Sequence, residues 1–290
     1  MSRKLEVNHV SKSFKETEAL KDIDFTIEGN KIVGLIGRNG AGKTTLLSII
    51  AGLRKVNQGE VKLNGKPVFD NQQAMQDVVF LSDSHQKSSL KIREILETTK
   101  KYRPHFDETY AKELLQKFDL PEGKTVDALS KGMRSSFYVV LGLASRAPIT
   151  IFDETYSGMD APTRKKFYNE VLDDQSEHPR LFILSSHLVS EMDYLFDEVV
   201  MIHEGEVRIH DDVESISLKG QVVVGESSTV DAFVSNKKVL NEDRLGPTKS
   251  ATIYGELTEE ERQLAKEKGL ELSNVPLQDL FIHLTGGDAS

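Results

Sequence analysis

The chain has 290 residues, a net charge of −9 at neutral pH and no cysteine. The acidic balance argues against a surface that coats nucleic acid, and the missing thiols exclude disulfides, thiolate catalysis and cysteine-ligated metal. With 38% hydrophobic and 29% charged residues it reads as a globular chain large enough for one sizeable domain and a smaller one. No apolar run approaches the roughly 20 residues of a membrane span, and residues 1–6 lack a signal-peptide core, so a cytoplasmic location is expected, with membrane contact only through a partner.

Residues 5–8 and 23–27 alternate in polarity like strands, the second followed by the turn residues Glu28-Gly29-Asn30, which predicts an antiparallel opening. Between them Phe14 lies in a polar connection. It suits either the core of a hairpin or stacking on a purine ring.

Residues 31–36 form an apolar run, and residues 45–53 have helical texture. The stretch between them, Gly37-Arg38-Asn39-Gly40-Ala41-Gly42-Lys43-Thr44, reads G-x-x-x-x-G-K-[ST]. Strand, glycine-rich loop and helix together form a phosphate cradle. Glycines let successive N–H groups converge on one point, and the helix N-terminus adds its positive end. Lys43 can reach β and γ phosphates, and the Thr44 hydroxyl can ligate Mg²⁺.

Residues 59–66 read as strand and turn, and residues 77–81 as a buried strand that stops at Ser82-Asp83-Ser84-His85. Open α/β sheets place ligand-binding groups at such strand ends. From 90 to 120 apolar residues recur at helical spacing, with Pro104 dividing two helices and Pro121 ending the second. Residues 127–134 then open an apolar helix for which Ser130 is a natural N-cap. A Ser closely followed by Gly132 at a helix start also suits an anion.

Residues 148–154 form an apolar strand ending in Asp153 and Glu154. Adjacent side chains on a strand point opposite ways, so the acids should divide their roles: Asp153 to Mg²⁺ beside Thr44, Glu154 to the γ-phosphate and an attacking water. A tight turn at 156–160 leads into a helix with Pro162 in its first turn. The buried strand 181–186 delivers His187 to its carboxyl end, where an imidazole can bond phosphate or water.

Taken in order, these motifs resemble the ATP-binding subunits of ABC transporters over residues 5–216. The resemblance makes Phe14 the adenine-stacking aromatic, Gly37 to Thr44 with Thr45 the Walker A cradle, and Leu129 to Met133 the LSGGQ-type signature. It makes Asp153 and Glu154 the Walker B aspartate and catalytic glutamate, residues 157–160 the D-loop and His187 the switch histidine. It implies a P-loop NTPase fold of ABC type, with a mixed sheet core, an antiparallel β subdomain and a helical subdomain at about 84–145. It also implies ATP and Mg²⁺ as cofactors and a head-to-tail dimer with an identical or paralogous ATPase. In such a dimer Ser130, Gly132 and Met133 would serve the partner's ATP. A transmembrane permease is the further partner implied, with the chain peripheral on the inner face of the membrane.

Three positions, in two motifs, depart from the family pattern. Asp83 stands where Gln is usual, one carbon shorter than the Glu sometimes found there, and would approach Mg²⁺ directly or through water. The signature carries Lys131 for glycine and Met133 for glutamine. The LSKGM form, short N-terminus and small C-terminal extension look like single-domain subunits of bacterial exporters, some of which handle antimicrobial or amphipathic peptides. The alternative is an ABC-type ATPase acting on ribosomes or DNA, but the paired cassettes and long coiled coil of those relatives are missing from the sequence.

Beyond a domain boundary expected at 216/217, residues 217–290 read as strand, helix, two strands, helix, strand and a last helix. The capping box Thr258-Glu259-Glu260-Glu261 opens the second of these helices. The order βαββαβ predicts a small ferredoxin-like α+β module with no catalytic constellation.

Overall fold

A computed structural model describes residues 3–82, 88–187 and 189–285. Chain contacts divide it into two compact units: residues 1–187 with 195–210, and residues 188–194 with 211–290.

The first unit opens with β1 (Lys4–Phe14) and β2 (Thr17–Glu28), followed by β3 (Ile32–Ile36), α1 (Lys43–Ile50), β4 (Gln58–Leu63), β5 (Lys66–Pro67), α2 (Gln72–Asp77) and β6 (Val78–Ser82). Helices α3 (Ile92–Tyr102), α4 (Glu108–Lys117) and α5 (Lys131–Ala144) come next, then β7 (Ile149–Asp153), α6 (Ala161–Glu177), β8 (Leu181–Ser186), β9 (Glu198–His203) and β10 (Glu206–Asp212). One antiparallel sheet has the order β2-β1-β4-β5, and a six-stranded sheet has the order β10-β9-β3-β8-β7-β6. In the larger sheet β9, β3, β8, β7 and β6 run parallel. Strands β3, β7 and β8 are buried along their whole length, which is why they read as unbroken apolar runs rather than as alternation. A core drawing on β1, β2, β3, α1, β4, β7 and β8 ties the two sheets together.

The opening hairpin corrects one expectation. Phe14 is the last residue of β1, paired with Thr17, and is 39% exposed, so it is neither in a connecting loop nor in the core. Register shifts between Val7 and Val10, and again on to Ser13, break the alternation that would have marked this end as strand.

The second unit contains α7 (Val213–Lys219), β11 (Gly220–Glu226), α8 (Ser227–Val234), β12 (Val239–Leu245), β13 (Thr248–Tyr254), α9 (Glu259–Glu267), β14 (Glu271–Asn274) and α10 (Leu277–Leu284). Its sheet order β12-β13-β11-β14, antiparallel throughout, is the ferredoxin-like arrangement of a βαββαβ chain. Val223, Ala251 and Ile253 pack there against Val230, Phe233 and Ala265 of α8 and α9. Helix α7 was not foreseen: only its Ile216 is buried, so it leaves no apolar period, and the boundary expected at 216/217 falls inside it.

Candidate nucleotide site

The glycine-rich loop leaves the end of β3 and feeds α1. Gly42 is the N-cap with φ 108°, and a Cβ there would meet the Ala19 carbonyl oxygen at 2.7 Å. Both the left-handed conformation and this close approach require glycine. The first intrahelical bond runs from Leu46 N–H to the Gly42 carbonyl, which leaves the amides of Lys43, Thr44 and Thr45 at the helix's positive end without an intrahelical acceptor. Arg38, Asn39 and Gly40 are exposed, whereas Gly37 and Ala41 are buried against the fold.

Lys43 is 5% exposed. Its ammonium donates to the carbonyls of Gly37 at 2.7 Å and Arg38 at 3.3 Å, and lies 3.2 Å from Glu154 Oε1. The Thr44 hydroxyl donates to Asp153 Oδ2 at 2.7 Å. Asp153 closes β7, in register with Ser185 of β8, and the Ser185 hydroxyl donates to Asp153 Oδ1 at 2.6 Å. Burial pushes the Asp153 carboxyl above its ordinary range, and the bonds from Ser185 and Thr44 work against that rise.

Glu154 is not a strand residue. It has left-handed backbone with φ 50°, and this turn, rather than strand alternation, separates it from Asp153. The turn is fastened by Glu154 N–H donating to Ser185 Oγ at 3.0 Å and by Ser157 N–H donating to the Glu154 carbonyl at 3.0 Å. Glu154 Oε2 lies 3.2 Å from His187 Nδ1, so the carboxylate stands between Lys43 and His187. The next two residues are anchored as well: the Thr155 hydroxyl donates to the Leu81 carbonyl at 3.0 Å and the Tyr156 hydroxyl to the Ser185 carbonyl at 3.0 Å.

These groups border a cleft of about 350 Å³ lined by Ala19, Asn39, Gly40, Gly42, Lys43, Thr44, Thr45, Ser82, Asp153 and Glu154. Phe14, Ser130, Gly132 and Met133 do not line it. Phe14 sits under two cations, with Lys12 Nζ at 5.4 Å and the Arg54 guanidinium at 5.3 Å from the ring centre. Ser130 caps α5, accepting from Met133 N–H at 3.2 Å, and both Ser130 and Lys131 are exposed. Gly132 and Gly158 pass closely. A Cβ on Gly132 would meet the Gly158 carbonyl at 3.0 Å, and one on Gly158 would meet Ser135 Oγ at 2.7 Å. The signature helix and the turn after Glu154 are thereby packed together. Asp83 lies outside the described residues.

The donor set suits magnesium. Among the described residues no group of three or more His, Cys, Asp or Glu converges as a protein cage for a metal. One hydroxyl and one carboxylate 2.7 Å apart beside a phosphate cradle are the sparse protein ligands that Mg²⁺ takes when water and phosphate oxygens complete its shell.

Ser185, Thr155 and Ala19 were not singled out from the sequence, whereas Ser82 opens the polar strand end expected to carry ligand-binding groups. Ser185 had left a signal: with Ser186 it ends an otherwise apolar strand in polar residues and, two residues before His187, it shares that residue's side of the chain.

A phosphate loop, a strand-end acid pair and a strand-end histidine on a parallel sheet define a P-loop ATPase. The ABC transporter family model matches residues 20–157. Similar curated proteins include the ABC transporter ATP-binding protein YtrB of Bacillus subtilis (strain 168), 24% identical over 98% of this chain and 98% of that one. NatA of the same organism, also an ABC transporter ATP-binding protein, is 29% identical over 70% of this chain and 85% of its own. Among solved structures, the dimeric bacterial ABC transporter cassette MJ0796 superposes with a TM-score of 0.62 at 22% identity, covering 72% of this chain and 98% of that one. Residues 20–157 thus form an ABC transporter domain, and the chain is an ABC-type ATPase.

Proposed function

We propose that this chain is the motor subunit of an ABC exporter: ATP closes a head-to-tail dimer, hydrolysis reopens it, and a transmembrane permease on the membrane's inner face converts the cycle into transport. The observation that carries the reading is the convergence of Lys43, Thr44, Asp153 and Glu154 on one cleft, with His187 3.2 Å from the Glu154 carboxylate. Lys43 and the α1 amides hold the phosphates, and Thr44 with Asp153 would hold Mg²⁺. The cation supplies charge neutralisation at the β and γ phosphates. Glu154 accepts a proton from the attacking water, and His187 orients Glu154 and the γ-phosphate. Phe14 is the candidate adenine platform at the end of β1.

The head-to-tail arrangement is supported by Ser130, Gly132 and Met133 lying outside the cleft, where they suit the γ-phosphate of a second subunit's ATP. The dimeric state of the MJ0796 cassette agrees with this. A permease is favoured by the transporter names of the relatives and by the described residues including no helix long and apolar enough to cross a membrane. Export, rather than import, rests on the LSKGM form of the signature, and the second unit is an accessory module.

The test is to isolate tagged Glu154→Gln protein with MgATP from gently solubilised native cells and identify what accompanies it. A polytopic membrane protein supports the reading, and a second ATPase chain makes the dimer heteromeric. Ribosomes or DNA-bound proteins without a membrane protein overturn it.

A further inference from the structure

Ser185 is fully buried in β8, between β3 and β7, and belongs to none of the motifs that mark the site. Its hydroxyl donates to Asp153 Oδ1 at 2.6 Å and accepts from Glu154 N–H at 3.0 Å, while its carbonyl accepts from the Tyr156 hydroxyl at 3.0 Å. One residue of a neighbouring strand thus bonds three residues of the turn that presents both acids. We propose that Ser185 is a positioning residue for ATP hydrolysis, setting the rotamer of Asp153 and the left-handed turn of Glu154 together; this rests on the ATPase reading of the cleft.

The Asp153 carboxylate has two supports, Thr44 on Oδ2 and Ser185 on Oδ1. Thr44 is itself assigned to magnesium, so its bond to Asp153 is not a fixed support. Ser185, sealed between two strands, has its one proton on Asp153 and a lone pair on Glu154 N–H. Glu154 at φ 50° is in a conformation that a non-glycine residue holds only when its surroundings impose it, and the bond to Ser185 is part of that constraint. Loss of the hydroxyl leaves a buried N–H unsatisfied and one carboxylate oxygen without its donor, at the two residues where sub-ångström placement governs rate. Ser185 does not line the cleft, so its effect passes through the two acids it bonds.

The experiment compares wild type with Ser185→Ala, Ser185→Thr and Ser185→Val in the full chain. Three quantities are read: steady-state ATP hydrolysis, binding of a fluorescent ATP analogue with and without magnesium, and thermal melting. Ser185→Ala is expected to lose about 10- to 100-fold in kcat and to need more magnesium by a similar factor for tight nucleotide binding. Its magnesium-free nucleotide affinity should stay within about twofold of wild type, because Lys43 and the loop amides are untouched. Ser185→Thr keeps the hydroxyl and should recover most of the loss, whereas Ser185→Val, of the same shape without it, should not. If Ser185→Ala melts far below wild type, the Thr and Val pair decides the matter. Equal activity and magnesium dependence in Thr and Val, or wild-type behaviour in Ala, overturns the proposal and leaves the ATPase reading standing. A wild-type chain that does not hydrolyse ATP overturns the reading itself.

Discussion

Lys43 Nζ lies 3.2 Å from Glu154 Oε1, so the cation proposed to hold phosphate is paired with the acid proposed to activate water. An ammonium has three protons, and here its partners are that carboxylate and the carbonyls of Gly37 and Arg38. A γ-phosphate entering the cleft competes with Glu154 for the same proton donor. Binding of ATP therefore frees the carboxylate for its second neighbour, His187, 3.2 Å from Oε2, and for water.

Replacing the lysine tests the phosphate side of this exchange. Lys43→Ala should weaken ATP binding by about 10- to 100-fold, the worth of charge-assisted bonds to phosphate. A fluorescent-nucleotide titration measures it, and unchanged affinity would show that Lys43 does not hold phosphate.

Much of this site was legible because its chemistry sits in contiguous words. The loop of Gly37 to Thr44, the Asp153-Glu154 pair and His187 each follow a buried apolar strand, and sequence order places them at one edge of a parallel sheet. What was not legible depends on neighbours distant along the chain. Ser185 acts across a strand pair on Asp153, Thr155 reaches Leu81, and Gly132 is needed because Gly158 passes beside it. The turn at Glu154 was hidden for a different reason: its left-handed backbone follows from tertiary bonds that no local propensity announces.

Far from the cleft, Asp174 is a buried acid held by two arginines. Arg180 Nη2 approaches Asp174 Oδ2 at 2.5 Å, Arg146 pairs with the other oxygen, and the Arg180 guanidinium also bonds Thr150 Oγ1 at 3.2 Å and the Leu143 carbonyl at 3.2 Å. Burial, with Arg146 adding to it, pushes the Arg180 pKa down to about 9. Asp174→Asn leaves the buried Arg180 guanidinium without its counter-charge, while Arg146 keeps Asp107 at 3.6 Å, and should destabilise the protein by about 3 to 5 kcal/mol. The urea midpoint at constant slope reads this. A change under about 1 kcal/mol would mean that the arginines find other partners.

Glu198 supplies the pH dependence. Burial raises its pKa, but hydrogen bonds from His210 at 2.6 Å and Lys31 at 2.5 Å outweigh that, and the carboxyl is held below its ordinary value. A carboxylate with a depressed folded pKa contributes stability that is fully present above its unfolded pKa of about 4.3 and is lost as pH falls through the lower folded value. Glu198→Gln should therefore cost about 2 kcal/mol at neutral pH, and the deficit should close on acidification through that window. Urea unfolding of both proteins across the acid range measures it, and a deficit independent of pH would contradict the assignment.

The decisive experiment is ATP turnover by purified wild type and Glu154→Gln, with oligomeric state followed by light scattering in MgATP. Wild type should hydrolyse ATP, while the variant, losing its base, should be slower by about 100-fold or more. The variant should also bind ATP at least as tightly, since no carboxylate then competes for Lys43, and should accumulate as a closed dimer. Wild-type turnover by Glu154→Gln, or a variant that stays monomeric with ATP bound, would contradict the role given to Glu154 and the dimer cycle built on it.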